Sequence, residues 1–550
     1  FTLACLPHEA YFSLDAIIRT NWRILVTHKR LLEWSPSGST GSSGHPDRDD
    51  RTSLVAGYQS MWSAPVISIA AAVYLAASTP ATLAVAGPIL FLWFASPAIA
   101  WWISRPLARR EARLTAEQII FLQKTSRRTW AFFETFVGPE DHWLPPDNFQ
   151  EHPVAVVAHR TSPTNMGLAL LANLSAYDFG YIPAGHLIER TANALDTMAA
   201  LERHQGHFYN WYDTQSLHPL PPLYISSVDS GNLAGHLLTL RPGLLALADH
   251  KILGPRLFEG LSDTLGILTD AAGKTASLQL AQLRKDLETA YDSRPATLAA
   301  ARRWLAQLAT SAAEVAAIFE TEPAVGNSTE PASDAKWWAQ ALARQCQGAL
   351  DELMLLAPWL MLPAAPAGCD AGFSDFSGIS EIPSLRELAK LEAELLPAFA
   401  RRLDADATPE ENGWLAELRR LITEGSRRAT ERIAAIERLA LQAGELSHIE
   451  LDFLYDKARH LLAIGYNVGE RRRDLSYYDL LASEARLCSF VAIAQGQLPQ
   501  ESWFALGRLL TTTGGEPILV SWSGSMFEYL MPLLVMPTYE NTLLDQTCQA

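Results

Sequence analysis

Hydrophobic and polar positions divide the chain into stretches of different period. Residues 52–104 contain no Asp, Glu, Lys or Arg, and 66–77 and 83–103 form two apolar centres separated by Ser78-Thr79-Pro80. A bilayer core requires about 20 apolar residues per helix, so residues 54–104 are predicted to be two transmembrane helices joined by a short turn. The uncharged run is too long for a buried hairpin of a soluble core, which is the competing reading. Trp93, Trp101 and Trp102 suit an interfacial belt, and the basic flanks (Lys29 and Arg30 before; Arg105, Arg109, Arg110 and Arg113 after) place both ends on the cytoplasmic side. Residues 1–53 then form a cytoplasmic segment. Within it, 6–34 is amphipathic, with Arg19 and Arg23, and fits either a helix on the inner membrane surface or a plain helix before a span. Residues 35–50, rich in Ser, Gly and Asp, read as a loop.

Beyond residue 114 the period is almost wholly helical. Residues 115–136 read as one amphipathic helix. Residues 166–177 and 188–203 form a hairpin broken at Gly180-Tyr181-Ile182-Pro183, and 233–247 are helical again. Aromatic and polar loops at 207–213 and 220–232 intervene. Long helices alternating with such loops over 115–249 predict a helical toroid whose loops line a central depression. Residues 250–445 repeat Ala, Leu, Arg and Glu at helical spacing, as at Leu415, Leu418, Ile422, Ala429, Ile433, Ile436 and Leu439, with polar breaks at 326–334 and 364–380. This stretch carries no evident chemistry and reads as a helical insertion serving packing or partner contact. Residues 451–466 turn to short β-prone runs, with Asp456-Lys457-Ala458-Arg459 as the turn between two strands.

Composition narrows the functional classes. A chain of 550 residues implies two or three units. A net charge of −16 argues against a nucleic-acid partner. The five cysteines (Cys5, Cys346, Cys369, Cys488, Cys548) are scattered, which suits a reducing compartment and no disulfide framework. The histidines lack metal-ligand spacing, so no metal is expected. Gly514-Gly515 lacks the Lys-Ser/Thr of a phosphate loop. Phe1 in place of an initiator Met, and a helical pattern running into Ala550, suggest an internal fragment.

The strongest candidate chemistry is Ser476-Tyr477-Tyr478-Asp479-Leu480-Leu481-Ala482-Ser483-Glu484, read as the start of a helix leading into Leu487, Phe490, Val491 and Ile493. An acid at the entrance to an apolar core is costly unless paired or used. Acid plus aromatics is what a sugar-cleaving site needs. A capping box of Ser476 and Asp479, with Glu484 paired to Arg486, explains the same residues. Phe208, Tyr209, Trp211 and Tyr212 beside Asp213 and Thr214 could stack on pyranose rings or anchor a loop. Val228-Asp229-Ser230-Gly231-Asn232-Leu233 reads as a helix start capped by Asp229 or Ser230, with Gly231 permitting close approach, and is compatible with lining a cleft. Glu528 lies in an apolar surround as a second candidate buried acid, either with a raised pKa or satisfied by backbone donors.

Residues 476–487 resemble the signature of the glycoamylase-like domain of cyclic β-1,2-glucan synthases. The resemblance extends to Thr161-Ser162-Pro163-Thr164-Asn165, 207–214, 228–233, Leu454-Tyr455-Asp456, Ile464-Gly465-Tyr466-Asn467, 526–532 and Tyr539-Glu540-Asn541, in the family's order. It implies a mainly α fold: a transmembrane helical hairpin, then an (α/α)6 toroid that is incomplete here, in two parts (115–249 and 446–550) around the insertion. It implies retaining transglycosylation closing linear β-1,2-glucan into rings, with no cofactor in this region. It also implies a glycosyltransferase domain upstream and a phosphorylase-like domain downstream in the same polypeptide. The site would lie at a bacterial inner membrane, its soluble domain cytoplasmic and its partners glucan and the lipid bilayer. Glu484 matches a family carboxylate and is expected to be the acid/base. Trp211, Tyr212, Asp213, Asp229, Asn232, Tyr478, Asp479 and Glu528 are the expected glucan contacts. The second family carboxylate belongs to a Trp-Gly-Ile-Ser-Glu-Ser motif expected beyond Ala550, so the fragment alone is expected to be inactive. A β-1,2-glucan hydrolase and a non-catalytic, membrane-tethered glucan scaffold are the alternatives.

Overall fold

The structure, a computed structural model, describes residues 2–27, 54–103, 114–273, 275–321, 330–363, 366, 381–403 and 408–550. The expected loop at 35–50 and the basic residues flanking the apolar stretch lie outside them. The chain divides into two compact units, Phe1–Arg113 and Leu114–Ala550.

The first unit holds α1 (Thr2–Trp22), α2 (Leu54–Ser60), α3 (Ser63–Ser78) and α4 (Pro80–Ile103). The α3–α4 hairpin turns at Thr79, whose amide donates to the Leu75 carbonyl at 2.8 Å. Between the helices, the Ser68 hydroxyl donates to the Leu90 carbonyl at 2.6 Å, so this buried polar group is satisfied. Among the described residues, α4 alone is long and apolar enough to cross a membrane. With 16 residues, α3 falls short of the roughly 20 that a bilayer core demands. The apolar stretch thus holds one candidate span, α4, and a shorter apolar helix, α3. The first turns of α1 bury Ala4, Cys5 and Pro7, and Trp93 Nε1 donates to the Leu3 carbonyl at 3.0 Å. Phe12, Ile17, Ile18 and Trp22 further along α1 are exposed.

The second unit is mainly helical, with short strands only. Its first helix, α5 (Ala116–Phe136), starts at a capping box of Thr115 and Gln118. The predicted hairpin is α6 (Pro163–Asp178) and α7 (Ala184–Ala200). Its break is Gly180, at φ +73°, where a Cβ would meet the Arg256 carbonyl oxygen at 2.4 Å. There follow α8 (Ser227–Ala246), α9 (Leu257–Ala272), α10 (Ser277–Ser293), α11 (Leu298–Thr321), α12 (Glu330–Leu356), α13 (Leu385–Leu403), α14 (Pro409–Leu446) and α15 (Ala485–Ala494), then α16 (Glu501–Ala505), α17 (Met526–Leu530) and α18 (Leu543–Gln549).

Helices α6, α8 and α15 pack side by side, backed by α7 and α14. The contacts are made close by small residues. A Cβ on Gly231 would meet Cys488 Cβ at 2.2 Å, one on Gly167 would meet His236 Nδ1 at 2.4 Å, and one on Gly235 would meet Leu487 at 3.2 Å. Thr164 at the start of α6, Asp229 and Asn232 near the start of α8 and Glu484 at the head of α15 are hydrogen-bonded, as described below, so the three helices bring their N-terminal ends together. An inner row α6–α8–α15 with α7 and α14 outside it is the arrangement of this part of the second unit. The helical period read at Leu415, Leu418, Ile422, Ala429, Ile436 and Leu439 is the buried face of α14, which joins the same core as Leu170, Leu195, Leu237 and Leu487. Helices α9 to α12 build a second core around Leu261, Leu265, Leu308 and Leu342.

Short strands tie the loops at the N-terminal end. Gly465–Asn467 lies between Tyr224–Ser226 and Arg472–Arg473 in an antiparallel sheet. Tyr455–Asp456 pairs with Leu461–Leu462 around the predicted turn, where the Asp456 carboxylate accepts from the amides of Ala458 (2.9 Å) and Arg459 (3.1 Å).

Gly231→Ala should force α8 and α15 apart and destabilise the unit by about 1–3 kcal/mol, read as a fall in Tm. Gly254→Ala, where a Cβ meets nothing within 4 Å, is the matched control and should leave Tm nearly unchanged.

Candidate active site

The site forms where the first turns of α6, α8 and α15 converge. Helix α8 is capped by Ser226, whose hydroxyl accepts the Asp229 amide at 3.2 Å, rather than by Asp229 or Ser230. The Asp229 carboxylate is thereby left for side-chain partners. Its Oδ1 accepts from Thr164 Oγ1 at 2.7 Å. The Asn210 amide, oriented to satisfy both its ends, donates to Oδ2 at 2.9 Å and accepts from Trp211 Nε1 at 3.3 Å. One turn on, Asn232 Nδ2 donates to Thr164 Oγ1 and to Glu484 Oε2, each at 3.1 Å. A continuous hydrogen-bonded chain thus runs from Trp211 through Asn210, Asp229, Thr164 and Asn232 to Glu484.

Glu484 is the N-cap residue of α15 and is half-buried. The helix expected to begin near Ser476 begins at Ala485, which is a correction. Residues 476–484 are held instead by other segments: Ser476 and Asp479 carbonyls accept from the amides of Ile464 (3.0 Å) and Gly507 (2.5 Å). Cross-segment pairing uses the backbone groups that a helix would need. The Asp479 side chain is exposed and caps nothing. Nor does Glu484 pair with Arg486. That guanidinium is fully buried and donates to the carbonyls of Ser483 (3.0 Å), Glu528 (2.8 Å) and Tyr529.

Burial pushes the Glu484 carboxyl above the usual carboxylate range. The Asn232 hydrogen bond opposes this, and the charges of Asp229 and Glu528 add to it. The Tyr478 hydroxyl is raised by burial and by Glu484, Asp229 and Glu528, which places Tyr478 in the same cluster. A carboxyl whose acid form is favoured by burial, beside a phenol and an amide, is equipped for general acid catalysis.

The other expected contacts separate. Tyr212 is fully buried; its hydroxyl donates to the Glu202 carbonyl at 2.6 Å and accepts the Tyr209 amide at 2.8 Å. With both roles of its hydroxyl used, it anchors the loop and lines no cleft, a correction. Asp213 folds onto its own turn, accepting from the amides of Ser216 (2.7 Å) and Gln215 (3.1 Å), which hold its carboxyl low. Trp211 is half-buried, with the Arg160 guanidinium 4.9 Å from its ring centroid and Arg160 itself bonded to Asp147 at 3.0 Å. Of the two readings of Glu528, the structure shows the one satisfied by donors. Although burial pulls its carboxyl up, donors from Ser523, Ser525 and Ser521 outweigh it and hold the group below the usual range. The Trp522 amide adds a further bond at 3.1 Å. Glu528 is a fixed anion that nucleates α17.

Sequence reasoning missed Thr164 and Asn210. Both stand in the blocks quoted above, but their role exists only through contacts 65 and 19 residues away in the chain, to Asp229. His207 is neutral: burial pushes it down to about 4, and its ring bonds Ser230 and the Glu450 carbonyl. A groove of about 760 Å³, lined by His186, Arg344, Glu352 and Arg432 among others, shares no residue with this cluster. Among the described residues no group of His, Cys, Asp and Glu could hold a metal ion.

Glu528→Gln should cost about 1–3 kcal/mol at neutral pH by leaving donors unpaired. Because the folded-state pKa is depressed, the stabilisation is full above the unfolded value near 4.3 and is lost as pH falls through the folded one. The gap in Tm between wild type and variant should therefore close below about pH 4, as thermal melts across pH 7 to 3 would show.

No protein-family model matches the chain. The chain is 33% identical over 98% of its length to "Cyclic beta-(1,2)-glucan synthase NdvB" of Rhizobium meliloti (strain 1021), and it spans 17% of that protein. A crystal structure titled as a glucoamylase from Bacteroides fragilis NCTC 9343 aligns with 30% of this chain and 41% of its own at 16% identity, with a TM-score of 0.21. At that score the likeness carries no weight, and the architecture rests on the packing described above. Along nearly its whole length, the chain is similar to one portion of that cyclic β-(1,2)-glucan synthase.

Proposed function

We propose that residues 114–550 form most of a glycoside-hydrolase-like domain that closes linear β-1,2-glucan into rings by retaining transglycosylation. The observation that carries this is Glu484: a carboxyl biased towards its acid form at the convergence of three helix N-termini, in a homologue of a cyclic glucan synthase. Glu484 donates its proton to the departing glycosidic oxygen and then takes one from the acceptor hydroxyl, which belongs to the far end of the same glucan. Trp211 offers its ring as a stacking face beside Asp229, and Tyr478 bonds the sugar at the cleaved linkage. Retention requires a second carboxylate about 5–5.5 Å from the first. Asp229 and Glu528 are both held by fixed donors, and the family resemblance assigns the nucleophile to the Trp-Gly-Ile-Ser-Glu-Ser motif of the complete polypeptide.

In that complete polypeptide, Glu484→Gln should reduce ring formation by about 10²- to 10⁴-fold while linear glucan accumulates. In the same assay Trp211→Ala should raise KM about tenfold with kcat little changed. Cyclic product at the wild-type rate from Glu484→Gln would sink the assignment, and new reducing ends in place of rings would identify a hydrolase.

We further propose that the apolar first unit sits in a bacterial inner membrane with the second unit cytoplasmic, on the strength of α4 and its basic flanks. A reporter fused after Arg113 should read as cytoplasmic; a periplasmic signal would reverse the topology.

A further inference from the structure

We infer that Thr164 is a positioning residue that locks the Asn232 amide as a donor and so confines the acidic proton of Glu484 to Oε1. The inference rests on the acid role given to Glu484 above. A threonine hydroxyl carries one proton and can also accept. Here the proton is committed to the Asp229 carboxylate at 2.7 Å, so Oγ1 faces Asn232 as an acceptor only, 3.1 Å from Nδ2. The other Nδ2 proton then points at Glu484 Oε2. An oxygen already accepting that bond is the poorer seat for a proton, which leaves Oε1 to carry it to the glycosidic oxygen.

The lock opposes a real alternative. Asn232 Oδ1 is buried without a partner, and an orphaned buried acceptor costs about 1–3 kcal/mol. Turning the amide over would let Oδ1 accept the proton of Glu484 while moving Nδ2 into the unpartnered position, and the acid would then be tied to Asn232 instead of the substrate. What forbids the turn is Thr164, because the flipped amide would set Oδ1 against the lone pairs of Oγ1. Asp229 is needed to keep the hydroxyl proton pointing away. The charged and titratable groups around Glu484 are Asp229 on α8, Glu528 on α17 and Tyr478 on the preceding loop, while Arg486 on α15 is turned to carbonyls.

The test is Thr164→Val in the complete polypeptide, with Thr164→Ala as the smaller variant should Val fail to fold, assayed for cyclic product from linear β-1,2-glucan. Loss of the lock should lower kcat about 100-fold with KM nearly unchanged. Catalysis requires Glu484 protonated, so the rate falls as pH rises through its pKa. An amide that accepts from the acid form raises that pKa, so the alkaline limb should move to higher pH. Thr164→Ser keeps the hydroxyl and should restore most of the rate and the original limb. A hydroxyl-free variant with wild-type kcat, or with a slowed rate, an unmoved limb and no recovery in Thr164→Ser, overturns the inference. The acid role itself is tested separately by Glu484→Gln: ring closure surviving that change rejects the underlying reading, whereas its loss beside an unaffected Thr164→Val rejects the lock alone.

Discussion

The site depends on the close contact of α8 with α15 at Gly231. The absence of a side chain there lets Cys488 approach to a distance that any Cβ would occupy. Asn232 follows Gly231 in sequence and sits on the same turn, so the packing that seats Cys488 also presents the Asn232 amide to Glu484 at 3.1 Å. Gly235, one turn on along α8, packs against Leu487, the neighbour of Cys488. The geometry of the acid is thus set by helix packing in a dry core, where interiors tolerate little displacement, rather than by a loop.

Two glutamates in one cluster are driven in opposite directions by their donors. Glu528 receives bonds from three serine side chains and several amides and stays charged. Glu484 receives one side-chain bond, from Asn232, and desolvation prevails. Its position at the head of α15 favours the charged form by about 0.3–1 kcal/mol, which sets a limit on how far its pKa can climb. The fixed charge of Glu528 works against that limit, since a nearby anion favours the acid form of its neighbour. Glu528 therefore serves the site through its field while its own chemistry is silenced.

How much of this could be read in the chain varies with the range of the interaction. The helical period at Leu415, Leu418 and Ile422 and the turn at Asp456 are local patterns, and both appear as read. The proximity of residues 161–165, 228–233 and 476–487 was suggested by a family resemblance, not by spacing. Tyr212 and Trp211 are adjacent and chemically alike, yet one is fully buried and the other half-buried: Tyr212 begins the short strand Tyr212–Asp213 with its hydroxyl tied to Glu202 and Tyr209, whereas Trp211 precedes that strand. From its apolar neighbours alone, Glu528 reads equally as an acid with a raised pKa or as one satisfied by backbone donors. Its donors, Ser521, Ser523 and Ser525, were in plain view, but their convergence on one carboxylate needs the tight turn that Gly524, at φ +69°, permits.

Arg486 shows why nearness in sequence misled. A carboxylate and a guanidinium two residues apart look like an ion pair, but positions i and i+2 on a helix point to different sides. Arg486 accordingly enters the core and spends its donors on the carbonyls of Ser483, Glu528 and Tyr529. A buried guanidinium bonded only to carbonyls, with its Nε unpartnered, is expensive to maintain, and two consequences follow from it here. It staples α17, and with it the Glu528 anion, to the head of α15. It also withholds from Glu484 the one cation close enough in sequence to pair with it. Had that pair formed, the neighbouring positive charge would have pulled the Glu484 pKa down and left the site a carboxylate with no proton to give.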